Sequence, residues 1–291
     1  MSQTVDNPAP RRTGTQVFHQ LQRQARAEAR TTGTPVATSE YLTRHTLESF
    51  LHRLTVTGHA ADFVLKGGLL LGVYNVRRPT RDIDSNAVSA TVSEQWLTRV
   101  ARDVAEAEID DGVEFDPDSI SVDTIREEDS YTGVRLRMPA LIGNARTEVT
   151  WDVSTGDPIV PPPRHIQLDR VLGEPLQLWS YAPETTVAEK AVTILERGIT
   201  STRWRDYVDI VQLHRADVLN TDDLRDAVRA VARYRDVRLR PISTEVVGYG
   251  KVGQAKWAAW RRRYRMETVS EELLDDQMKL IADILDPILS N

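Results

Sequence analysis

Hydrophobic and polar residues follow two different spacings in the first 160 residues of the chain. Apolar positions recur at helical spacing in some segments and alternate with polar positions in others, as they do in half-buried antiparallel strands. The predicted helices are residues 15–30, 39–54, 69–74 and 93–108. The predicted strands are residues 82–84, 119–126, 133–138 and 146–153. The pattern therefore predicts a first domain, residues 1–160, in which helices accompany a sheet.

The second part of the chain has a different pattern. Four prolines at residues 158–163 end the strand pattern and begin a linker. The segments with helical periodicity beyond it are residues 183–196, 203–214, 221–233, 253–266 and 270–289. We therefore predict a helical domain at residues 161–291. The first dozen residues lack periodicity and are expected to be disordered.

Composition narrows the class of protein. Cysteine is absent, which excludes disulfides and thiolate metal sites and fits a reducing compartment. The polar, Arg-rich residues 1–32 do not resemble a secretory signal, and the longest apolar stretch, residues 63–76, is interrupted by Lys66 and is too short to span a bilayer. We expect a cytoplasmic protein without a membrane partner. The net charge of −6 argues against a uniformly basic nucleic-acid binder.

Three aspartates have the spacing of a metal site. Successive strand residues point to opposite faces, so Asp82 and Asp84 project the same way while Ile83 faces the core. Adjacent carboxylates repel each other unless a cation lies between them, and Mg²⁺ prefers oxygen ligands. The same alternation at residues 148–153 allows a neighbouring strand to bring Asp152 to the same metals. Three carboxylates with two Mg²⁺ ions suit phosphoryl or nucleotidyl transfer.

Two glycines precede these aspartates in the chain. Gly67 and Gly68 follow Lys66 where a helix is expected to begin, and backbone N–H groups there suit a triphosphate. Taken alone, the glycine pair is best interpreted as a turn, and two aspartates with one residue between them as a solvated strand end. Their order and spacing together favour a catalytic site that uses an NTP as substrate.

These residues resemble a known family. Lys66-Gly67-Gly68, followed after thirteen residues by Asp82-Ile83-Asp84, resembles the signature of the DNA polymerase β-type nucleotidyltransferase superfamily. Residues 65–71 and 78–84 resemble more closely the AbiEii toxins, which include the mycobacterial MenT proteins. Ser85 departs from the superfamily pattern, which more often has an apolar residue at that position.

The second half of the chain carries two further motifs of the same family. The first contains Glu189 and Lys190 in a predicted helix, and the second contains Arg203, Asp206 and Asp209 in the next one. Asp206 and Asp209 lie one helical turn apart and share a face. They are interpreted as orienting Lys190 or the nucleotide, while a structural ion pair between helices is equally consistent with Asp206 and Glu189. The four motifs cover residues 63–213 in patches.

The resemblance implies a fold, an activity and partners. The implied fold is α+β and bilobed, with the mixed sheet and flanking helices of polymerase β-type nucleotidyltransferases and a C-terminal helical domain. The implied activity is transfer of NMP from an NTP to the 3′ end of tRNA, which blocks aminoacylation and translation, and the implied partner is a cognate antitoxin, often a winged-helix DNA-binding protein.

The expected site residues fall into three groups. The catalytic residues are Asp82, Asp84, Asp152 and Lys190, of which the three aspartates also bind the metal. The nucleotide-binding residues are Lys66, Gly67, Gly68, Arg78, Thr80, Lys190 and Asp209. Residues 251–265 carry six basic residues and no acidic one, which suits an RNA backbone. The predicted RNA-binding residues are Lys256, Arg261, Arg262 and Arg263.

The role of three aromatic residues, the acceptor and the kind of activity stay open. Trp257, Trp260 and Tyr264 form one helical stripe within the basic segment, and a core stripe is the favoured interpretation. The acceptor also stays open, since a nucleotidyltransferase of this superfamily can act on a small molecule or a protein hydroxyl. A kinase and a non-catalytic NTP- or RNA-binding module are further alternatives.

Overall fold

The structure is a computed structural model that describes residues 12–33, 35–76, 79–88, 92–127 and 131–290. Most of the N-terminal segment that was predicted to be disordered lies outside these ranges. Arg78, which was predicted to bind nucleotide, also lies outside them.

Helices account for most of the described chain. They are α1 (Gly14–Thr32), α2 (Thr38–Val56), α3 (Gly67–Leu71), α4 (Glu94–Glu106), α5 (Pro183–Arg197), α6 (Trp204–Arg215), α7 (Thr221–Tyr234), α8 (Ile242–Glu245), α9 (Tyr249–Tyr264) and α10 (Leu274–Leu289). Local signals fix several of the boundaries. Thr13 and Gln16 form a capping box at the start of α1, Asn220 caps α7 and Pro183 occupies the first turn of α5. The helices predicted from hydrophobic spacing are confirmed to within a few residues, and α8 was not predicted.

A mixed sheet forms the other layer. Its strands are β1 (Phe63–Lys66), β2 (Ile83–Ala87), β3 (Glu114–Phe115), β4 (Ser121–Glu127), β5 (Tyr131–Ile142), β6 (Ala145–Thr155), β7 (Arg164–Leu168) and β8 (Leu176–Ser180). The order across the sheet is β3-β5-β6-β2-β1-β8-β7, and β4 pairs with β5. The predicted α+β fold with a mixed sheet is therefore confirmed.

The register of the central strands positions the aspartates. β2 runs parallel to β6, and Asp84 pairs with Asp152, while β1 runs antiparallel to β2, and Lys66 pairs with Asp84. Ile83 and Trp151 alternate with these aspartates and are fully buried. The predicted alternation of core and polar faces is confirmed on both strands.

Two apolar clusters support the sheet and the helices. One joins α2 and α4 to the buried face of the sheet, with Phe50, Ile83 and Trp151 among its members. The other joins α5, α6, α7, α9 and α10, and Leu71 of α3 also belongs to it. Since α3 contributes to both clusters, the segment that follows β1 packs between the sheet and the C-terminal helices.

The sheet extends further along the chain than predicted. β7 and β8 lie in the segment that the sequence assigned to a helical domain, and β8 pairs with β1 in parallel. The structure shows the alternation of a half-buried strand here: Leu176, Leu178 and Ser180 are buried, and the residues between them are exposed. Within the ranges given above, no helix is long and apolar enough to cross a membrane.

Candidate active site

The three predicted aspartates line one cavity. The cavity has a volume of about 570 Å³, and one of its walls is formed by residues at β1, β2, β5 and β6, while α5, α6 and α9 contribute the other. Asp82 precedes β2, Asp84 lies on β2 and Asp152 lies on β6. Lys66, Gly67 and Lys190 line the same cavity. The structure thus brings together six of the residues that the sequence singled out, from both halves of the chain.

Gly67 lies directly against one of these carboxylates. Its φ of +72° is in the left-handed region, and a Cβ atom added there would lie 1.8 Å from Oδ2 of Asp84. Any side chain at this position would both strain the backbone and displace the carboxylate. The glycine therefore allows the turn between β1 and α3 to approach Asp84.

Asp152 is bound by an arginine that the sequence did not single out. Arg135 on β5 donates from Nε to Oδ1 of Asp152 at 2.7 Å and from Nη2 to Oδ2 at 2.5 Å. These hydrogen bonds raise the pKa of Arg135, and the negative charges of Asp152, Asp82 and Asp84 raise it further. A guanidinium charge thus lies among the three carboxylates that were predicted to share metal ions.

The donor set fits a divalent cation only in part. Asp82 and Asp84 offer carboxylate oxygens on one side of the chain, which suits Mg²⁺. Each oxygen of Asp152 accepts one hydrogen bond from Arg135 and keeps a further lone pair, but the guanidinium charge beside it opposes a cation at the same carboxylate. Among the described residues, no group of three His, Cys, Asp or Glu side chains has an arrangement that could hold a metal ion. A metal site made by all three aspartates therefore stays a prediction, with Asp152 next to a competing positive charge.

Lys190 is held at the cavity wall by two buried carboxylates. Its Nζ donates to Asp206 and, at 2.9 Å, to Oδ2 of Asp209, and Arg203 also binds Asp206 at 2.6 Å. Burial alone would raise the pKa of Asp206, but the charges of Lys190 and Arg203 lower it well below its ordinary value. Asp209 is fully buried and does not line the cavity, and one of its contacts is with Lys190. The geometry is that of a residue that orients Lys190, and a part in nucleotide binding stays a prediction.

Lys66 has a carboxylate partner on the opposite wall. Its Nζ lies 3.5 Å from Oε2 of Glu189 on α5 and 5.6 Å from the centre of the Tyr181 ring. Both Lys66 and Glu189 line the cavity. The pair therefore links the end of β1 to α5 within the lining of the cavity.

Gly68 and Thr80 lie elsewhere. Both line a second cavity, of about 830 Å³, that does not include the aspartates. The Thr80 hydroxyl nevertheless donates to Oδ1 of Asp82 at 3.1 Å. Neither residue lines the first cavity, and Thr80 contacts that cavity's lining only through Asp82, so nucleotide binding by Gly68 and Thr80 stays a prediction.

The aromatic stripe of α9 divides between core and cavity. Trp257 is fully buried, as the core interpretation expected, whereas Trp260 and Tyr264 line the cavity. Arg261 was predicted to bind RNA, but it is buried, and its guanidinium donates to Ser270 Oγ at 2.9 Å and to two backbone carbonyls. The RNA-binding prediction is wrong for Arg261, because its charge is directed into the fold.

The other basic residues of this helix face outward. Lys256, Arg262 and Arg263 are exposed, and their role in RNA binding stays a prediction. Sequence reasoning also missed Arg135, although it alternates with the buried Leu136 on a predicted strand. That alternation placed Arg135 on the polar face, but its pairing with Asp152 depends on the β5–β6 register.

The mixed sheet brings aspartates from adjacent strands to one cavity, beside a glycine with a positive φ and two lysines. This fold and these site residues are those of a nucleotidyltransferase. The model of the family described as "Nucleotidyl transferase AbiEii toxin, Type IV TA system" matches residues 49–279, which is well over half of the chain. The protein belongs to this family.

Two solved structures from Helicobacter pylori are similar to the chain. JHP933 has a TM-score of 0.49 and 14% identity, over 87% of this chain and 93% of that one. A protein described as a candidate nucleotidyltransferase has a TM-score of 0.47 and 15% identity, over 86% of this chain and 94% of that one. A search of curated proteins gave no significant match.

Proposed function

We propose that this protein transfers a nucleoside monophosphate from an NTP to the 3′-hydroxyl of tRNA and thereby blocks aminoacylation. The observation that carries the proposal is the presence of Asp82, Asp84, Lys66 and Lys190 in one cavity of a chain from a nucleotidyltransferase toxin family. In the reaction, the 3′-hydroxyl releases its proton to water as its oxygen forms a bond to the α-phosphorus, the bond from the α-phosphorus to the β-phosphate oxygen breaks, and pyrophosphate leaves.

The lysines serve to bind the triphosphate. Asp206 and Asp209 hold the Lys190 ammonium, and Glu189 holds that of Lys66, so both charges are oriented before the nucleotide arrives. An oriented ammonium stabilises phosphate charge without having to reorganise during the reaction. Asp206 and Asp209 are positioning residues in this proposal, because they act through Lys190.

A divalent cation is part of the proposal. Asp82 and Asp84 would hold it, and when bound it supplies activation of the attacking hydroxyl and stabilisation of the leaving pyrophosphate. A second Mg²⁺ bound through Asp152 would lie close to the Arg135 guanidinium, whose positive charge opposes it. We therefore assign Asp82 and Asp84 as the primary metal ligands and Asp152 as a ligand whose affinity for the cation Arg135 lowers.

The acceptor and the antitoxin are inferred from different sources. The tRNA 3′ end follows from the resemblance of residues 65–71 and 78–84 to the AbiEii toxins that include MenT, and the exposed Lys256, Arg262 and Arg263 offer charge for a phosphate backbone. A toxin of a toxin–antitoxin family has an antitoxin partner. We propose a winged-helix DNA-binding protein in that role and cytoplasmic action on tRNA.

The proposal is tested by incubating total RNA with the protein, Mg²⁺ and each α-³²P-labelled NTP in turn. We expect labelled bands of tRNA length that lose their label on 3′-exonuclease treatment. A parallel reaction with γ-³²P-labelled NTP should leave RNA unlabelled, since pyrophosphate carries the γ-phosphate away. Label in tRNA from the γ-position would instead identify a kinase.

Other outcomes would assign another acceptor. Label in a protein band or in a small metabolite, with RNA unlabelled, would refute the tRNA assignment and retain nucleotidyl transfer. No Mg²⁺-dependent turnover of any NTP, with RNA and cell extract both supplied, would identify a non-catalytic binding module.

A further inference from the structure

One wall of the transfer cavity is aromatic. Trp260 and Tyr264 on α9 line the cavity together with Trp204 and Arg205 on α6. Trp260 stacks on the fully buried Trp257 with a centroid distance of 5.3 Å and an angle of 17° between the rings. Trp257 thus covers one face of the Trp260 ring, and Trp260 also lines the cavity.

The ring cluster is rigidly supported. Trp204 meets Trp260 edge-on at 6.0 Å, and the Tyr264 ring lies 5.8 Å from that of Trp260. Trp257 also donates from its indole nitrogen to the backbone carbonyl of Glu271 at 3.1 Å. A large aromatic surface held in this way loses little conformational entropy when a flat ligand binds to it.

A cation with no carboxylate partner accompanies the aromatic wall. Arg205 has no ion pair to any residue that the structure describes, and its guanidinium lies 5.1 Å from the centre of the Tyr264 ring, over which the Arg263 guanidinium also lies at 5.4 Å. Its neighbour on the cavity wall, Arg203, is instead bound to Asp206. An arginine beside a stacking surface matches a ligand that carries a phosphate next to a flat ring.

We propose that Trp260 and Tyr264 form a nucleobase-stacking subsite and that Arg205 binds the phosphate of the same nucleotide. The inference rests on the proposed function, because it supplies a base-binding surface in the cavity that the carboxylates of the transfer site also line. Two nucleotides enter such a cavity, the donor NTP and the 3′-terminal nucleotide of the acceptor. Both nucleotides present a flat base next to a phosphate, and a binding experiment with two arms distinguishes them.

The experiment measures equilibrium binding to the full chain in the absence of transfer. The donor arm compares each NTP with inorganic tripolyphosphate, which has the phosphates and no base. The acceptor arm compares a short single-stranded RNA with the same RNA carrying an abasic 3′-terminal nucleotide. The effect is expected in the arm whose nucleotide occupies the subsite. There, Trp260→Leu should weaken binding of the base-bearing probe by about 10- to 100-fold and leave binding of the base-free probe unchanged.

Matched variants separate stacking from folding. Trp260→Phe keeps an aromatic face and should restore most of the lost affinity, and Trp179→Leu removes a partly exposed tryptophan on β8 that does not line the cavity and should change nothing. If Trp260→Leu fails to fold, Tyr264→Leu carries the same test. Arg205→Gln should weaken the probe of the same arm and lower its salt dependence by about one charge.

The proposal is overturned if base-bearing and base-free probes bind the unmodified protein equally well in both arms, or if Trp260→Leu and Tyr264→Leu, once folded, preserve the difference. These outcomes do not depend on transfer. A protein that labels no RNA but retains Trp260-dependent binding of a mononucleotide would contradict the proposed function and support the stacking subsite.

Discussion

At the scale of single residues, close contacts around the carboxylates decide what the site can hold. Gly67 allows the backbone to lie against Asp84, and Arg135 places a positive charge on Asp152. The sequence indicated the glycine and the aspartates through the order and spacing of their motifs and through the strand alternation of Asp82 and Asp84 about Ile83. It did not indicate Arg135, whose partner is determined by the pairing of two strands.

The first prediction concerns Gly67. Gly67→Ala should lower nucleotidyl transfer by about 100-fold, because the new methyl group would displace the Asp84 carboxylate by more than 1 Å. Gly33→Ala is the matched control, since Gly33 also has a positive φ, +69°, but has open space around it. Both variants should lose about 1–2 kcal/mol of unfolding free energy from backbone strain. Equal transfer rates in the two variants would contradict the role of Gly67.

The second prediction concerns Arg135. Arg135→Gln removes the charge that binds Asp152, so Mn²⁺ should bind the variant more tightly than the unmodified protein, by about tenfold for a change of 1.4 kcal/mol. Arg137→Gln is the control, because Arg137 lies on the same strand and pairs with Asp123 away from the cavity. The affinity is measured by titrating each protein with Mn²⁺ and monitoring binding by electron paramagnetic resonance. Unchanged or weaker binding in Arg135→Gln would show that Arg135 and the metal do not compete.

The third prediction concerns Asp206 and pH. Its pKa in the folded protein lies below the ordinary value of 3.8, so the ionised group stabilises the fold above about pH 4 and loses this effect as pH falls. Asp206→Asn should therefore reduce the unfolding free energy by about 3–5 kcal/mol at pH 7, and the difference should shrink below pH 4. Urea unfolding at several pH values measures it. Asp123→Asn, at an exposed position, should have the unfolding free energy of the unmodified protein at every pH. If the loss of unfolding free energy in Asp206→Asn does not change with pH, the ion-pair account is contradicted.

At the scale of elements, the hydrophobic pattern was sufficient for the long helices and for β4, β5 and β6. It was insufficient for β7 and β8, each of five residues, which follow a proline-rich segment. A short strand has few alternating positions, and its place beside β1 depends on tertiary contacts. The parallel pairing of β2 with β6, which brings Asp84 beside Asp152, is likewise non-local.

The fourth prediction tests the contact between the segment after β6 and the C-terminal helices. Arg235, at the end of α7, is largely buried and forms an ion pair with Asp157 at 3.2 Å. Arg235→Ala should leave the Asp157 carboxylate buried without its partner and lower the unfolding free energy by about 3 kcal/mol. Arg233→Ala, an exposed arginine on the same helix, should change it by less than about 0.5 kcal/mol. Similar losses in both variants would contradict a specific role for the pair.

At the scale of the whole molecule, the site exists because distant parts of the chain share one cavity. Asp82 and Asp84 come from the sheet, while Lys190 comes from α5 and Trp260 from α9. The sequence identified the first three as candidate site residues through their motifs. It interpreted the aromatic stripe as core, since helical spacing alone does not show which ring faces a cavity.

The central claim is that Asp82 and Asp84 carry the transfer reaction. The most direct measurement is transfer of α-³²P from NTP to tRNA by the unmodified protein, Asp82→Asn, Asp84→Asn and the exposed control Asp123→Asn. Asparagine keeps the shape of each side chain and removes its charge, so we expect the two site variants to remain folded and to lose at least about 1,000-fold in rate, more than the 10²- to 10³-fold of removing one oxyanion-hole donor. Asp123→Asn should match the unmodified protein. Undiminished labelling by folded Asp82→Asn or Asp84→Asn would contradict the account.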